Sequence, residues 1–345
     1  MVSDEQYMRR CLELAQKGIN HAAPNPMVGS VLVHQERIIG EGWHEVYGQA
    51  HAEVNCLNDV RPEDRALIPG SRLYVSLEPC SHFGKTPPCC DRIIMEGIRE
   101  VVVGCRDSYA AVAGKGIQKM KDAGILVRTG TLETECRELN KRFFTVQEKG
   151  RPYIILKWAE TADGFIAAED GTRIRISGWI QQRLVHRMRY QESAVLVGYQ
   201  AALNDNPRLD NRFWREGRQP LRVLIDFDNS LPGNYFLKDN SRGTLIFNGH
   251  KEGEAGHMAW KRLYGKKDIP QQITAALEGI NSIIVEGGTK TLQTFIDSGL
   301  WDEAHRWING AMVAGTGIQS PVLKNARKVQ EQCYGADRLL LFRQQ

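Results

Sequence analysis

Residues 79–90 have the sequence PCSHFGKTPPCC, and a shorter element, His51-Ala52-Glu53, precedes them in the chain. A catalytic zinc ion needs three protein ligands and one open position for water, and imidazole nitrogen and thiolate sulfur both suit this ion. His51 with Cys80 and Cys89 meets that requirement. A carboxylate that is not a ligand then moves a proton, and Glu53 fits this role at a predicted helix start. The two elements together predict a catalytic zinc site.

Two other interpretations of the same residues stay open. Cys80 and Cys89 could be buried thiols, with His51 an ordinary core histidine. A structural zinc site is the second alternative, since it would close the coordination with four protein ligands. His82 or Cys90 could supply that fourth ligand.

The length and composition describe a globular chain with two domains. It has 345 residues, of which 42% are hydrophobic and 25% charged, which excludes disordered, collagen-like and disulfide-dense proteins. Apolar runs such as Ile154–Leu156 are far shorter than the ~20 residues of a membrane helix. The charged N-terminal stretch does not resemble a signal peptide, so we expect a cytoplasmic protein with no membrane partner. Its eight cysteines are then expected to be free thiols, metal ligands or nucleophiles rather than disulfides.

The formal net charge is +4, and the basic excess lies in residues 148–345. Such an excess suits phosphate-bearing ligands. No run of Lys and Arg alternates with aromatic residues, so we expect no nucleic-acid partner.

The hydrophobic pattern predicts an α/β fold in two layered units. The turn at Gly150-Arg151-Pro152 separates them, and we place a first domain, which contains the zinc motif, at 1–147 and a second domain at 148–345. The polar stretch Gly249–Lys267 is predicted to be a surface excursion. The predicted helices are 5–17, 51–58, 89–97, 117–123, 181–189 and 289–298, and the predicted strands are 28–34, 37–42, 72–76, 100–105, 127–129, 153–158, 193–198, 221–225, 244–247 and 282–285.

The zinc motif resembles that of the cytidine and deoxycytidylate deaminase superfamily, which implies an α/β/α sandwich. Nucleic-acid editing deaminases and cytidine deaminases place only two residues between the thiolates. The eight residues between Cys80 and Cys89, the stretch Pro24-Asn25-Pro26-Met27-Val28-Gly29 and the position of His44 instead resemble the bifunctional riboflavin-biosynthesis deaminase-reductases. An RNA-editing deaminase is therefore the disfavoured alternative.

The resemblance implies specific roles in residues 1–147. Zinc would be held by His51, Cys80 and Cys89, and Glu53 would transfer protons during hydrolytic deamination of 2,5-diamino-6-(5-phosphoribosylamino)pyrimidin-4-one. The positions that match substrate contacts in the family are Asn25, His44, His82 and Lys85. One loop departs from the family, because Asp107-Ser108-Tyr109-Ala110 stands where Asp-Pro-Asn-Pro is usual.

Three elements in the second half also carry chemistry. They are residues 157–164 (KWAETADG), residues 201–209 (AALNDNPRL) and Glu286-Gly287-Gly288-Thr289. In the last, a predicted strand is followed by Gly-Gly and a helix start, which presents backbone N–H groups to an anion. No G-x-G-x-x-G opens a βαβ unit, so a Rossmann domain is not supported.

Together the three elements resemble the dihydrofolate-reductase-like reductase domain of the same enzymes. The resemblance implies that NADPH reduces the ribosyl group of the deaminated product to ribityl. Asp205 matches a cofactor contact, and Arg189 and Arg212 suit a substrate phosphate through their forked donors. The remaining matches are Leu209 and Glu286 to substrate, and Gly288, Thr289, Lys290, Thr291, Leu292, Gln293 and Thr294 to the cofactor phosphates.

Two positions that contact the cofactor in the family differ here. Arg175 replaces the usual Trp, and Ala201 replaces the usual Thr. Arg175 could meet a nucleotide phosphate instead. The alternative for this half is a catalytically silent scaffold or oligomerisation domain. For the whole chain we expect small-molecule substrates and a homo-oligomer.

Overall fold

The structure is a computed structural model that describes residues 3–109 and 112–345. The chain divides into two compact units, Met1–Gly150 and Arg151–Gln345. Helix α6 (Lys141–Lys149) continues past residue 147, and Gly150 ends it in the left-handed region with φ 65°. That conformation suits a residue without a side chain.

The first unit is built on a five-stranded sheet in the order β2-β1-β3-β4-β5. Strands β1 and β2 form the predicted hairpin, and β3, β4 and β5 are parallel. Its elements are α1 (Asp4–Gln16), β1 (Gly29–His34), β2 (Arg37–Trp43), α2 (Ala52–Asp59), a 3-10 helix (Pro62–Gly70), β3 (Arg72–Leu77), α3 (Cys89–Met95), β4 (Glu100–Cys105), α4 (Lys115–Asp122), β5 (Leu126–Thr129), α5 (Glu133–Leu139) and α6 (Lys141–Lys149).

Helices cover both faces of this sheet. Strand β4 is buried on both sides, so its valines point alternately into two cores. Val101 and Val103 pack in the core that contains residues of α2, α3 and α4, whereas Val102 packs with residues of α1, α5 and α6. The predicted α/β/α sandwich is confirmed.

The second unit contains a ten-stranded sheet in the order β11-β12-β10-β9-β8-β13-β6-β14-β17-β16. The seven strands from β12 to β14 are parallel, and antiparallel strands flank them. Its elements are β6 (Tyr153–Thr161), β7 (Phe165–Ala167), α7 (Trp179–Gln191), β8 (Ala194–Gly198), α8 (Tyr199–Asp205), β9 (Leu221–Ile225), a 3-10 turn (Phe236–Lys238), β10 (Thr244–Asn248), β11 (Gly253–Ala255), β12 (Met258–Arg262), α9 (Ile269–Ala276), β13 (Ser282–Val285), α10 (Thr289–Asp297), β14 (Glu303–Asn309), β15 (Ile318–Gln319), β16 (Ala326–Tyr334) and β17 (Asp337–Gln344).

The central strands of this sheet are also buried on both faces. Ile283 and Val285 pack with residues of α9 and α10, and Ile284 packs in a second core with residues of β8, β9 and α8. Parallel strands align their carboxyl ends, which is where ligands bind in open α/β sheets. Thus β6, β8, β9 and β13 bring the chemistry-bearing segments that follow them to one edge.

The prediction of a surface excursion at Gly249–Lys267 was wrong for its central part. Residues 253–262 form β11 and β12, which extend the sheet. The reason is Trp260, which is buried on the sheet with the Lys251 ammonium 3.5 Å from its ring centroid. The partly buried Met258 and Ala259 of the same strand also pack against the cores of this unit.

No helix in the described part of the chain has the length and apolar character needed to cross a membrane.

Candidate active sites

Three predicted metal ligands converge beside the carboxyl end of β3. His51 immediately precedes α2, Cys80 follows β3, and Cys89 is the first residue of α3. The Nδ1 atom of His51 lies 3.6 Å from Cys80 Sγ and 3.3 Å from Cys89 Sγ. The three donor atoms all lie within 4.8 Å of one another. One nitrogen therefore faces two sulfurs, which is a donor set suited to zinc.

The local hydrogen bonds favour a thiolate at Cys80. The backbone N–H of Cys89 donates to Cys80 Sγ at 3.3 Å. Hydrogen bonds with the Cys89 thiol and with His51 lower the pKa of Cys80 to about 4, although burial opposes ionisation. A thiolate is the form of cysteine that binds metals, so the site is arranged for coordination.

Glu53 lies in the first turn of α2 and is only 3% exposed. Burial raises the pKa of its carboxyl group, and the neighbouring Cys80 thiolate raises it further. Glu53 is not a member of the metal-ligand cluster, which among the described residues consists of His51, Cys80 and Cys89. A buried carboxyl group of raised pKa that is not a ligand is suited to moving protons.

Neither candidate for a fourth ligand belongs to the cluster. Cys90 turns away, and its thiol donates to the carbonyl oxygens of Pro79 at 3.3 Å and Gly116 at 3.5 Å. His82 instead packs edge-on against Tyr109, with 5.9 Å between ring centroids. In the described part of the chain the cluster thus has three members, which fits an open catalytic site better than a closed structural one.

Two of the predicted substrate contacts form a connected pair beside His51. His44 Nδ1 donates to the Ala50 carbonyl oxygen at 3.1 Å, so Nε2 is left to accept a hydrogen bond from the Asn25 amide at 3.1 Å. Burial lowers the pKa of His44, which keeps the ring neutral. Its ring packs edge-on against His51, with 5.1 Å between the centroids. Asn25 and His44 are therefore fixed next to the metal ligands.

The other two predicted contacts lie in the segment between the cysteines. Lys85 places its ammonium 4.1 Å from the centroid of the Tyr47 ring, a cation–π contact. His82 Nδ1 is buried with no hydrogen-bond partner in the described structure. A buried polar atom without a partner normally costs free energy, so this nitrogen is available to a ligand.

Glu78 is a supporting residue that the sequence analysis missed. Its buried carboxylate accepts four backbone hydrogen bonds, between 2.9 and 3.3 Å, from the N–H groups of Asp107, Gly114, Gly116 and Ile117. It therefore joins the end of β3 to the loop before α4 and to the first turn of that helix, where a negative charge is favourable. The acidic residue directly before Pro79-Cys80 was the available signal.

The loop that departs from the family pattern is described only in part. Asp107 Oδ1 accepts a hydrogen bond from the Tyr109 backbone N–H at 2.7 Å, while Ala110 lies outside the described residues. Burial raises the pKa of Asp107 to about 6.

In the second unit, a cavity of about 940 Å³ lies at the carboxyl ends of the parallel strands. Its wall includes most of the residues that the resemblance implied. These are Arg189, Asp205, Leu209, Arg212, Glu286, Gly288, Thr289, Lys290 and Thr291. Arg175 and Ala201, the two departures from the family, also line it. The volume is at the upper end of the range for small-molecule sites.

Arg189 and Glu286 form a bidentate ion pair within this wall. The Nε and Nη2 atoms of Arg189 donate to the two carboxylate oxygens at 2.8 Å each, and Nη1 donates to the Asp210 carbonyl oxygen at 3.0 Å. Burial opposes the charge on Glu286, but the Arg189 guanidinium overcomes it and lowers the pKa to about 2. Each nitrogen of Arg189 is thus already engaged.

Arg212 is less constrained. One of its nitrogens pairs with the Asp210 carboxylate, and the guanidinium lies 4.6 Å from the Phe213 ring centroid. Its side chain remains 44% exposed. Leu209 is buried and has a positive φ of 50°.

Asp205 ends α8 and faces two cations. Desolvation raises the pKa of its carboxyl group, while the charges of Arg173 and Lys157 oppose that change. Desolvation likewise lowers the pKa of Lys157, and the Glu286 carboxylate opposes it. The ammonium group of Lys157 makes no hydrogen bond or ion pair within the described residues.

The turn into α10 depends on two glycines. A Cβ atom on Gly287 would lie 2.6 Å from Cβ of Thr291, and one on Gly198 would collide with the Thr291 hydroxyl. Nothing lies within 4 Å of the Cβ position of Gly288, so the helix start is open toward the cavity. Backbone N–H groups at such a helix start favour an anion.

The last three predicted cofactor contacts lie outside the cavity wall. Leu292 is fully buried in the core, Gln293 bonds to Asp297 and Val322, and the Thr294 hydroxyl donates to the Lys290 carbonyl oxygen. Their roles stay predictions.

Comparison with known proteins identifies both units. Residues 1–105 match the model of the cytidine and deoxycytidylate deaminase zinc-binding region, and residues 152–332 match that of the RibD C-terminal domain. The chain belongs to the RibD family. Its members are bifunctional deaminase-reductases of riboflavin biosynthesis, with a zinc-binding deaminase domain and an NADPH-dependent reductase domain, so the predicted family, fold, enzyme class and cofactors are confirmed.

Curated relatives match over nearly the whole chain. Riboflavin biosynthesis protein RibD of Aquifex aeolicus is 36% identical over 356 residues, which cover 99% of this chain and 98% of the relative. RibD of Escherichia coli is 35% identical, over 88% of this chain and 86% of its own. The relationship thus covers both catalytic units.

Solved RibD structures have the same architecture. A Thermotoga maritima protein described as a diaminohydroxyphosphoribosylaminopyrimidine deaminase/5-amino-6-(5-phosphoribosylamino)uracil reductase has a TM-score of 0.89 and 35% identity, covering 99% of this chain and 98% of that chain. Acinetobacter baumannii RibD has the same TM-score and coverage at 28% identity.

Proposed function

We propose that residues 1–147 deaminate 2,5-diamino-6-(5-phosphoribosylamino)pyrimidin-4-one and that residues 148–345 reduce the ribosyl group of the product to ribityl with NADPH. The convergence of His51, Cys80 and Cys89 beside a buried Glu53 carries the first assignment. We further propose that the enzyme acts in the cytoplasm as a homo-oligomer, with small molecules and no nucleic acid as its partners.

The donor set in the first unit fits zinc. The His51 nitrogen and the two thiol sulfurs already face one another, and the pKa of Cys80 is lowered toward the thiolate form. Zinc, when bound by these residues, supplies a Lewis acid that lowers the pKa of water. The chain's own residues must then position the pyrimidine and move protons.

Glu53 is the proton-transfer residue in this proposal. A water oxygen forms a bond with the ring carbon that carries the amino group, and the bond from that carbon to nitrogen breaks. Glu53 accepts a proton from the water and delivers it to the departing nitrogen, which leaves as ammonia, and the second water proton passes to the adjacent ring nitrogen as the new carbonyl group forms. Because burial disfavours its charged form, the carboxyl group can hold the proton between these two steps.

The neighbouring polar groups are suited to binding the substrate. Asn25 and the neutral His44 can bind the edge of the pyrimidine, and His82 Nδ1 needs a hydrogen-bond partner. Lys85 supplies a point charge for the ribose phosphate. Glu78 has a structural role only, because its carboxylate already accepts hydrogen bonds from backbone N–H groups.

The cavity of the second unit fits a dinucleotide together with a sugar phosphate. It is large, it is lined with cations, and the start of α10 is open at Gly288. NADPH, when bound there, supplies the hydride. The protein's contribution is alignment and electrostatics, with Asp205 facing the cofactor and Glu286 held toward the substrate by Arg189.

The test is metal analysis of the purified chain combined with assays of both half-reactions. We expect about one zinc per chain, ammonia release from the diaminopyrimidine substrate, and NADPH oxidation with the deaminated product. Ammonia release without NADPH oxidation would instead support a silent C-terminal scaffold. Failure to deaminate any free pyrimidine nucleotide would overturn the first assignment, and light scattering would test the homo-oligomer.

A further inference from the structure

The cations that line the reductase cavity fall into two classes. Arg189 and Arg212 are engaged by carboxylates, the first with all three of its nitrogens occupied. Arg173 and Arg175 also line the cavity, but within the described residues neither makes a hydrogen bond or comes within ion-pair distance of a carboxylate. Arg208, a third arginine of the wall without a carboxylate partner, lies 4.5 Å from the centroid of the Phe236 ring. Within the described residues, Arg173 and Arg175 are therefore the two guanidinium groups of the wall that neither a carboxylate nor an aromatic ring engages.

The segment that carries these two arginines is fixed at both ends. The carbonyl oxygen of Gly171 accepts a hydrogen bond from the Asn204 side chain at 2.7 Å, and that of Ile176 accepts one from the Asn309 side chain at 2.8 Å. The Ile176 side chain is 4% exposed. The backbone of this segment is thus held in place by groups that belong to other elements.

Side-chain exposure alternates along the segment. Arg173 and Arg175 are exposed, whereas Ile174 is half-buried and Ile176 is buried. The backbone N–H of Ile176 donates to the Ile174 carbonyl oxygen at 3.0 Å, which closes a tight turn around Arg175. The isoleucines anchor the segment. The Asp205 carboxylate lies near Arg173 but beyond ion-pair distance, so the donors of both arginines are left for another partner.

The electrostatic surroundings favour an anionic partner. Lys157 and Lys290 line the same wall, also without an ion-pair partner in the described residues, and the open start of α10 adds partial positive charge. Cations in a cleft reinforce one another and attract anions. The planar donors of arginine match the oxygen atoms of a phosphate ester better than a lysine does.

We propose that Arg173 and Arg175 bind a phosphate ester of a ligand in the reductase cavity, a role separate from that of the carboxylate-engaged Arg189. This inference rests on the proposed reductase function. Phosphate esters reach the cavity from two sources, the nucleotide cofactor and the phosphoribosyl substrate.

The test measures binding and turnover separately. Arg173→Gln and Arg175→Gln remove one charge each, and Arg173→Lys and Arg175→Lys retain it. Arg327→Gln is the matched control, because Arg327 is an exposed arginine of β16 that does not line the cavity. The dissociation constants of NADPH and NADH are measured by direct titration, and the KM for the deaminated substrate by steady-state kinetics, all on the full chain.

We expect each Gln variant to weaken the affinity for one phosphate ligand about tenfold, which is the loss of one charged hydrogen bond. The Lys variants and the Arg327 control should change it by less than about threefold. Weaker NADPH binding with unchanged NADH binding would assign the 2′-phosphate. Weakening of both would assign the pyrophosphate, and a higher substrate KM alone would assign the substrate phosphate.

Unchanged NADPH affinity, NADH affinity and substrate KM in both Gln variants would overturn the proposal. If the unsubstituted protein still oxidised NADPH, the reductase function would stand and only this inference would fall. A protein that neither binds nor oxidises NADPH would overturn both together. The circular dichroism spectrum of each variant shows whether it has folded.

Discussion

In the deaminase unit the three metal donors lie within 4.8 Å of one another, whereas in the reductase unit the ligand-facing residues line a cavity of about 940 Å³. The first site is supplied by two short motifs and is supported by local hydrogen bonds. The second collects residues from strand ends that are distant in sequence. A compact site therefore depends on single atoms, while a large site spreads its binding energy over many contacts. Substitutions should have all-or-none effects in the first and graded effects in the second.

The largest expected effect is that of Cys80→Ser. Serine is a poor zinc ligand, so the variant should lose stoichiometric metal, and deamination should fall to background, while NADPH oxidation continues. The matched control is Cys90→Ser, because the Cys90 thiol bonds to two carbonyl oxygens and faces away from the cluster. Metal analysis and both assays check this. If only the Cys90 variant lost zinc, Cys90 rather than Cys80 would be the metal ligand.

Glu53→Gln should separate metal binding from proton transfer. The amide preserves the shape of the side chain but cannot carry the proton, so zinc content should be unchanged, and the deamination rate should fall by about 10²–10⁴-fold. Glu45→Gln is the control, since Glu45 is exposed and lies near the site in sequence. Ammonia release at saturating substrate is the measurement. A Gln variant as active as the parent would refute the assignment.

Asp205→Ala tests the graded behaviour of the reductase cavity. Removing one of several contacts should reduce kcat/KM for NADPH on the order of tenfold to a hundredfold and leave deamination unchanged. Glu216→Ala removes an exposed carboxylate outside the cavity wall and should be neutral. A deaminase defect as large as the reductase defect would argue that the two units are not independent catalysts.

Glu78→Gln should weaken the scaffold of the deaminase unit. An amide NH₂ group would face backbone N–H donors, so the free energy of unfolding should fall by about 1–3 kcal/mol. Hydrogen exchange at the amides of Gly114, Gly116 and Ile117 should become faster than in the parent. Glu63→Gln, at an exposed position, is the control. Unchanged hydrogen exchange at all three amides would show that the Glu78 carboxylate does not stabilise this loop and helix start.

The smallest expected effect concerns His186 in the reductase unit. Burial, together with the charges of Arg189 and Arg212, lowers its pKa from an ordinary value of 6.5 to about 4. A proton therefore favours the unfolded state, so stability is constant above about pH 6.5 and decreases as the pH falls toward 4. The slope is at most about 1.4 kcal/mol per pH unit.

His186→Gln should flatten this part of the stability profile, measured by denaturant unfolding at several pH values. His257→Gln, at an exposed histidine, should keep the slope of the parent. Identical slopes in the parent and in the His186 variant would contradict the burial argument.

Sequence patterns were most informative where the chemistry is contiguous. His51, Cys80 and Cys89 were identifiable because each stands in a short motif next to a predicted strand or helix. Strand β4 was predicted with its observed bounds because its apolar run is uninterrupted. The strand and each of the two motifs can be recognised from a short contiguous segment, although His51 and Cys89 are 38 positions apart.

Pairings between distant residues that belong to no recognisable motif could not be predicted. Arg189 and Glu286 are 97 positions apart, and the pair forms only when the last turn of α7 packs beside the end of β13, so Arg189 was expected to bind a phosphate rather than a carboxylate. The bonds from Glu78 span 29 to 39 positions. Strand β16, mostly exposed and polar, has no apolar run to reveal it.

The contacts of Thr291 predict a genetic interaction between position 291 and two glycines that are distant in sequence from one another. Its side chain occupies the space that a Cβ atom would need at Gly198 and at Gly287, on two different strand ends. Gly198→Ala alone should therefore be disruptive, whereas Thr291→Ala would make room for it. A search for second-site suppressors of Gly198→Ala should recover smaller residues at position 291, more than ninety positions along the chain.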